Sequence, residues 1–330
     1  MASSIDPQDR ARPRDKYKEA VVSLIHELKS RSKPTYTYTE LAQFQVSVQS
    51  IDPEDHEFID SEACLFQPLI QKELKTFKLD KKALSEVGSR CIDEFDDTFY
   101  DVTDRIPEDS QIWTRAGQIV FYLEVFESQS DRKRGRSTSS IQDLSHWDNI
   151  KAENSFTDTP TGMLSGITVG HSKPQDILRW NAHSICQWLD DFKDPDPKTT
   201  RPHVKLVILT GTEAKENELL HGELASIINT LYYRLEQPEF EDTSFFPVLV
   251  ISLFGPRHGR LLQAQFDNSG LLVRSSPIYN FVDSDEKMQL FVRYNNCKPR
   301  GPEIEPVLVE EQSSSPRLSS LALRIKQRKS

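Results

Sequence analysis

Residues 247–276 constrain the fold of this chain more than any other part, because three apolar runs alternate there with two short turns. The runs are PVLVISLF, RLLQAQFD and LLVRSS, and the turns are GPRHG and DNSG. Short apolar runs joined by turns that contain glycine are typical of neighbouring antiparallel strands. We therefore predict a three-stranded antiparallel meander in this segment.

The residues on either side of this meander predict further elements of a C-terminal α/β domain. The run HVKLVILTG at 203–211 has a continuous apolar middle, as in strands covered on both faces. Apolar residues recur at helical spacing at about 173–193, after an S-x-x-Q capping pattern, and at about 213–235. A last helix is predicted at 284–295. Together these patterns predict a central sheet that includes the meander and is flanked by helices.

The N-terminal half of the chain has mainly helical patterns. Apolar residues at 13–31 recur at the spacing of an amphipathic helix. Further helical patterns lie at 52–100, and the segment at 111–126 is the most apolar part of this half. The chain is therefore predicted to have an α+β fold, with a mostly helical N-terminal region followed by the α/β domain.

Changes in composition predict where these regions end. The stretch 128–161 is rich in Ser, Asp, Asn and Arg, so we interpret it as a flexible polar linker or long loop. The residues after 299 are rich in Pro and Ser and end in basic side chains, which is typical of a disordered tail. The predicted organisation is a helical N-terminal region at 1–127, the linker at 128–161, an α/β domain at 162–298 and the tail at 299–330.

The charge and the cysteine content exclude several classes of function. The formal net charge of −10 at pH 7 disfavours generic binding of nucleic acid. The longest apolar runs are far shorter than the roughly 20 residues of a membrane helix, so no membrane contact is predicted. The four cysteines have no C-x-x-C spacing, and the N-terminus lacks the pattern of a secretion signal. These features predict a cytoplasmic or nuclear protein.

A basic run in the predicted linker has two interpretations. It consists of Arg132, Lys133, Arg134 and Arg136. Such a run is typical of nuclear import signals, but it is also common in segments that only keep a loop soluble.

The turn GPRHG supplies the best candidates for binding a ligand. Arg257, His258 and Arg260 place up to three cationic donors at one end of the predicted sheet, which suits a carboxylate or a phosphate. The alternative is that these residues are the charged tip of an exposed hairpin.

Two carboxylates are further candidates. Glu216 and Glu223 lie near one edge of the apolar stripe of the helix predicted at about 213–235. An enzyme of unrecognised type would use one of them with the basic turn as an anion clamp.

No metal, cofactor or catalytic residue is assigned from motifs. Acidic residues cluster at 93–97, but the EF-hand order is absent and no glycine turns the loop. The chain also lacks the G-x-S-x-G, H-E-x-x-H and G-K-[ST] patterns of serine hydrolases, zinc proteases and phosphate-binding loops.

The predicted order of helix, three strands and helix is similar to the core of PD-(D/E)xK nucleases. The literal string also occurs, as Pro195 and Asp196 followed by Glu213, Ala214 and Lys215. That chemistry requires two carboxylates on adjacent strands to hold magnesium, beside a lysine that orients the attacking water. Here Asp196 lies in a proline-rich loop and Glu213 lies beyond the end of a strand. A degenerate, catalytically silent relative therefore fits better than an active nuclease.

Three segments resemble a large group of uncharacterised fungal proteins over about residues 160–300. They read MLSGITVGHSKPQDILRWN, KLVILTGTEAK and PVLVISLFGPRHGRLLQAQFDNSGLLVRSSPIYNF. The resemblance implies a fungal source. Because such proteins are sometimes encoded beside secondary-metabolite genes, it also implies an accessory role in a biosynthetic cluster.

The sequence therefore favours a non-catalytic binding or regulatory protein over an enzyme. Its partner is predicted to be another protein or a small acidic ligand. The alternatives are an enzyme of unrecognised type with an anion-binding turn and a degenerate PD-(D/E)xK nuclease-like protein.

Overall fold

A computed structural model of the protein describes residues 7–31, 33–79, 108–134, 137–141, 145–150, 180–190, 199–255, 257–267, 269–281, 285–301 and 307–308. The α-helices within these ranges are Pro7–Ser30 (α1), Tyr38–Ala42 (α2), His56–Asp60 (α3), Gln71–Leu74 (α4), Glu108–Gln129 (α5), His221–Glu236 (α6) and Asp285–Asn295 (α7). The strands are Thr35–Thr37 (β1), Val46–Ser50 (β2), Phe66–Gln67 (β3), Lys78–Leu79 (β4), Ser130–Arg134 (β5), Ser137–Ser140 (β6), Trp147–Asn149 (β7), Trp180–Leu189 (β8), Thr199–Thr210 (β9), Glu218–Leu220 (β10), Val248–Phe254 (β11), His258–Asp267 (β12), Gly270–Ser275 (β13), Tyr279–Asn280 (β14), Lys298–Pro299 (β15) and Val307–Leu308 (β16). This mixture of helices and strands confirms the predicted α+β class.

One mixed sheet organises the described part of the chain. Its strands lie in the order β2, β13, β12, β11, β9, β8 and β7, with β14 paired to β12 and β16 paired to β9. The pairs β9–β11 and β2–β13 are parallel, and the other pairs of this sheet are antiparallel. The strands β2, β13, β11 and β9 therefore all run in the same direction.

The tight turn between β12 and β13 is shaped by its own side chains. The Oδ1 atom of Asp267 accepts hydrogen bonds from the N–H and the hydroxyl of Ser269, at 2.7 and 2.6 Å. Gly270 follows with a φ of +135°, and a β-carbon at this position would collide with the carbonyl oxygen of Gln45. The turn therefore requires glycine, which alone tolerates both the dihedral angle and the close approach.

Helices cover both faces of the sheet. The face under α1 and α6 contains alternate strand residues such as Val250 and Leu262. The face under α5 and α7 contains the residues between them, such as Ile251 and Leu261. Burial of each such side chain stabilises the fold by about 1.5–3 kcal/mol, so the strands are apolar on both faces.

Arg14 in helix α1 holds the end of α6, where Lys18 of α1 also pairs with Glu236 at 3.1 Å. The guanidinium of Arg14 donates to the carbonyl oxygens of Leu235 and Gln237, at 2.7 and 3.0 Å, and also to that of Phe240. The last carbonyls of a helix have no partner within the helix, so Arg14 caps α6 from outside. With β2 paired to β13, residues from both halves of the chain share one sheet and one core.

The helix predicted at 173–193 is wrong in its described part. Residues Trp180–Leu189 form strand β8, which pairs antiparallel with β9. A bulge between Ala182 and Ser184 shifts the alternation, so that Ala182 and Ile185 both join the core under α6 although they are three residues apart. This spacing on one face imitates a helix, and the burial of both strand faces removes the polar alternation.

The helix predicted at about 213–235 begins later, at His221. Residues 218–220 pair with β1 instead, as the short strand β10. Asn217, just before them, has a φ of +64°. A right-handed helix cannot pass through a residue in the left-handed conformation, so α6 starts after this segment.

Part of the predicted linker at 128–161 lies in strands. The strands β5 and β6 pair with each other, and β7 pairs with β8 in the central sheet. Residues 151–161 lie outside the described residues, as do 309–330 of the predicted tail. None of the described helices has the length and the apolar content that a bilayer crossing requires.

Candidate functional site

The structure brings together Glu223 and Arg260, two residues that the sequence singles out separately. Glu223 lies in the first turn of α6, and Arg260 lies on β12, on the sheet face that α6 covers. The Nε atom of Arg260 donates to Oε1 of Glu223 at 2.8 Å, and Nη2 donates to Oε2. Both side chains are 0% exposed. Two parallel hydrogen bonds make this the strong form of an arginine–carboxylate pair.

Glu223 also caps the start of α6. Its Oε2 atom also accepts the backbone N–H of Leu220, at 2.8 Å. This is the carboxylate half of a capping box, in a position where the helix dipole favours negative charge. One buried carboxylate thus links β12 to the beginning of α6.

The charges of this pair compensate each other inside the core. Burial, the largest single influence, acts to lower the pKa of the Arg260 guanidinium, but the charge and hydrogen bonds of Glu223, together with smaller effects of Tyr38 and Glu216, outweigh it, and the pKa is raised. Arg260 is therefore charged at any physiological pH. Because both side chains are fully buried, a phosphate or carboxylate from outside would have to open the contact between α6 and the sheet to reach Arg260.

Several polar atoms near this pair have no hydrogen-bond partner within the described residues. They include Nη1 of Arg260 and the hydroxyl of Ser252, its fully buried cross-strand neighbour on β11. The indole N–H of Trp180 and the side-chain amide of Asn229 share this property. A cavity of about 10 Å³ is lined by Trp180 and Asn229. Its size is close to that of one water molecule.

The other two residues of the basic turn have different environments. Arg257 is 4% exposed, has a φ of +112°, and accepts the N–H of Phe281 with its carbonyl oxygen at 2.9 Å. The ring of His258 stacks on Phe254 with the centroids 6.4 Å apart. Burial lowers the pKa of His258 below its ordinary value, so this side chain is neutral near pH 7. Anion binding by the turn stays a prediction.

Glu216 lies outside α6, in the exposed loop between β9 and β10. Its Oε1 atom accepts the backbone N–H of Ile278 at 3.1 Å. This bond ties the loop to the segment between β13 and β14. The charge of Glu216 contributes to the raised pKa of Arg260, while Glu223 holds that side chain by hydrogen bonds.

The described acidic residues of the nuclease-like pattern do not meet. Glu213 and Lys215 are exposed in the loop after β9, which strand pairing places near the first residue of β12. A nuclease of this type would also need a carboxylate on the meander, where the sequence offers Asp267 at a turn, and this residue lies at the opposite end of that ten-residue strand, roughly 30 Å away at the usual rise per residue. Among the described residues, no three His, Cys, Asp or Glu side chains are grouped so as to hold a metal ion.

Some predicted features lie outside the described residues. These are the acidic cluster at 93–97, the dipeptide at 195–196 and the end of the chain at 309–330. The side chains of the basic run at 132–136 are likewise not described. The interpretations of these segments stay predictions.

A second buried polar cluster, which the sequence patterns did not predict, lies on the face under α5 and α7. Lys205 on β9 is 4% exposed, donates to the backbone carbonyl of Asn295 and lies 5.3 Å from the ring centroid of Trp147. Glu127 in α5 accepts from the side-chain amides of Asn295 and Asn296, at 2.6 and 2.7 Å. Burial raises the pKa of Glu127, and Lys205 opposes this. A lysine inside the apolar run KLVIL was the signal that could have revealed the cluster.

An open groove lies between α1 and the turn before β2. Its volume is about 180 Å³, and its lining includes Leu24, Glu27, Phe44, Gln45 and Leu271. We call this the α1 groove. The backbone of Gln45 is left-handed, with a φ of +59°. A strained residue beside a groove with both apolar and polar walls motivates a binding hypothesis.

Comparisons of the chain with protein-family models, with curated proteins and with solved structures found no match. The chain is therefore not assigned to a family, and its resemblance to fungal proteins stays a prediction. Its function has to be inferred from the residues themselves.

Proposed function

We propose that this chain is a non-catalytic binding or regulatory protein whose partner is another protein. The observation that carries this proposal is the fully buried ion pair of Glu223 and Arg260. A catalytic acid or base has to come within hydrogen-bond distance of its substrate. A carboxylate and a guanidinium that are fully buried and bonded to each other serve the fold instead.

The other candidate groups support the same proposal. Glu216 holds the backbone of Ile278, and His258 is a neutral ring stacked on Phe254. Each of these contacts stabilises a local segment. The surface feature with a binding geometry is the α1 groove, where polar and apolar groups line an open space.

A cleavage assay tests this proposal against the nuclease alternative. The full chain is incubated with plasmid DNA, single-stranded DNA and RNA in the presence of Mg²⁺ or Mn²⁺. We expect the natural chain and Glu213→Ala, which lacks the exposed carboxylate of the nuclease-like string, to give the same result. Asp242→Ala, another exposed carboxylate variant, serves as the control. Cleavage that only Glu213→Ala abolishes would contradict the proposal.

A second candidate function is the capture of a small anion by the turn before β12. The specific observation in its favour is the φ of +112° at Arg257, since backbone strain is concentrated at ligand sites. Calorimetric titration with inorganic phosphate and pyrophosphate tests it. Binding that weakens in Arg257→Ala and persists in Arg201→Ala would support this candidate. A natural chain that binds neither anion would exclude these ligands.

A further inference from the structure

Strand β2 lies at the edge of the central sheet, where no described strand pairs with its outer side. Its sequence, VSVQS, carries no charge, and the side chains of Ser47, Gln49 and Ser50 are exposed. Proteins usually protect such edges with a lysine, a proline or a bulge. The absence of these features within β2 leaves a regular strand that can accept a partner.

The hydrogen bonds to β13 show which backbone groups of β2 point outward. The carbonyl oxygen of Gln45 accepts from β13 at 3.0 Å, and the N–H of Ile51 donates to β13 at 2.9 Å. Backbone groups of successive strand residues point in alternate directions, so odd-numbered residues face β13. The N–H and carbonyl groups of Val48 and Ser50 therefore point away from the sheet.

The α1 groove begins where β2 begins, because Gln45 lines the groove and directly precedes the strand. Leu24 and Phe44 supply apolar walls, and Glu27 supplies a carboxylate. Glu27 is paired with Arg31 at 3.3 Å, and the guanidinium of Arg31, whose side chain is 58% exposed, also lies 5.2 Å from the ring centroid of Phe44. A cationic side chain of a partner would therefore take the place of Arg31 at both groups. Exposed pairs of this kind are weak, so another cation can replace Arg31.

We propose that β2 and the α1 groove together bind an extended peptide segment of a partner protein. The segment adds to the outer side of β2 as a strand, and one of its lysine or arginine side chains enters the groove. The apolar stem of that side chain packs on Leu24 and Phe44, and its charge meets Glu27. Backbone pairing supplies affinity and the groove supplies specificity. The net charge of −10 also favours a basic partner.

This inference rests on the proposed function, because it names the partner of a binding protein. A displayed library of random seven-residue peptides, selected on the full chain, is the direct probe. We expect the selected peptides to share alternating β-branched or aromatic residues and one lysine or arginine. Labelled synthetic copies of these peptides are then titrated by fluorescence anisotropy.

A matched pair of variants at one position tests the strand addition. Ser50→Pro removes the outward N–H and keeps the bonds to β13, so we expect the peptide affinity to fall about tenfold or more. Ser50→Ala keeps that N–H, and we expect its affinity to equal that of the natural chain. Hydrogen exchange at Val48 and Ser50 should slow in the complex, while Gln49, which already faces β13, should change little.

A second pair of variants tests the groove. Glu27→Gln should weaken binding of lysine-containing peptides about tenfold or more, because a charge-assisted contact is lost. Glu19→Gln, an exposed carboxylate on the same helix outside the groove, should have no effect. Replacing the peptide lysine by glutamine should weaken binding to the natural chain. In Glu27→Gln the same replacement should cause no further loss of affinity.

Three results would overturn this inference. The first is a selection that enriches no peptides, and the second is a set of peptides that bind Ser50→Pro as tightly as Ser50→Ala. The third is a dimer of the chain that Ser50→Pro converts to a monomer, since a second copy would then occupy β2. The cleavage assay does not depend on any of these results. Failure of the peptide site can therefore be distinguished from failure of the binding-protein proposal.

Discussion

Arg260 on β12 and Glu223 in the first turn of α6 form a fully buried ion pair held by two hydrogen bonds, although 37 residues separate them in the chain. The pair joins a residue of the predicted anion-binding turn to a predicted edge carboxylate. In the sequence each looks like a free charged group. In the structure each is the partner of the other, which is why we assign them to the fold.

The contact between α1 and α6 predicts a large effect of a single substitution near the N-terminus. Arg14→Ala removes a guanidinium that caps the carbonyls at the end of α6. Hydrogen bonds to a charged group contribute about 1.5–3 kcal/mol, so we expect the free energy of unfolding in urea to fall by a similar amount. Amide exchange along α1 should also accelerate. Lys16→Ala, on the exposed side of α1, is the control, and equal effects of both variants would refute the cap.

His203 predicts how stability depends on pH. Burial lowers the pKa of this histidine to about 3, against about 6.5 in the unfolded chain. Between these values the unfolded chain binds a proton that the native chain does not bind. The free energy of unfolding therefore decreases as the pH falls below about 6.5, by up to about 1.4 kcal/mol per pH unit.

Urea unfolding at pH 7.5, 6.5 and 5.5 measures this dependence. His203→Gln, which carries no titratable group, should lose less stability than the natural chain over this range. His56→Gln, at an exposed position in α3, should keep the natural dependence. If the free energy of unfolding depends on pH equally in the natural chain and in His203→Gln, protonation of His203 does not destabilise the native state and the prediction is wrong.

The backbone of Gln45 predicts a stabilising substitution. Its φ of +59° costs an L-residue about 1–2 kcal/mol, whereas glycine adopts this conformation freely. We expect Gln45→Gly to raise the free energy of unfolding by about 0.5–1 kcal/mol. Gln43, two residues earlier, has a φ of −65°, so Gln43→Gly should lower it by up to about 1 kcal/mol. A loss of stability in Gln45→Gly would show that its side chain contributes more than the strain costs.

Local patterns in the sequence were informative where neighbouring residues decide the structure. The apolar runs at 247–276 lie on three consecutive strands, and Asp267 and Gly270 shape the turn between the last two. The helix predicted at 173–193 is wrong in its described part, because the bulge at Ala182 gives the buried residues of strand β8 a helical spacing. The spacing of apolar residues reveals a strand when one of its faces is polar. It cannot reveal a bulge in a strand that is buried on both faces, because polar residues do not then alternate with apolar ones.

The candidate site could not be assembled from the sequence, because its contacts are between distant residues. Nothing near Val48 indicates that β2 pairs with β13, more than 200 residues later. The same holds for Lys205 and Glu127, whose cluster depends on how α5 packs on the sheet. Charged residues were predictable as candidates, but their burial and their partners follow only from the topology.

The central claim is that Glu223 and Arg260 form a structural pair, and a double-mutant cycle on their unfolding free energies tests it most directly. We predict that Arg260→Met and Glu223→Leu each lower the free energy of unfolding by about 3–5 kcal/mol, because each leaves a buried charge without its partner. The double variant should recover the part of this loss that comes from the unpaired charge, and keep the loss of about 0.5–2 kcal/mol from the capping bond to Leu220. If Arg260→Met unfolds at the same urea concentration as the natural chain, the side chain is not part of a buried pair and the claim is wrong.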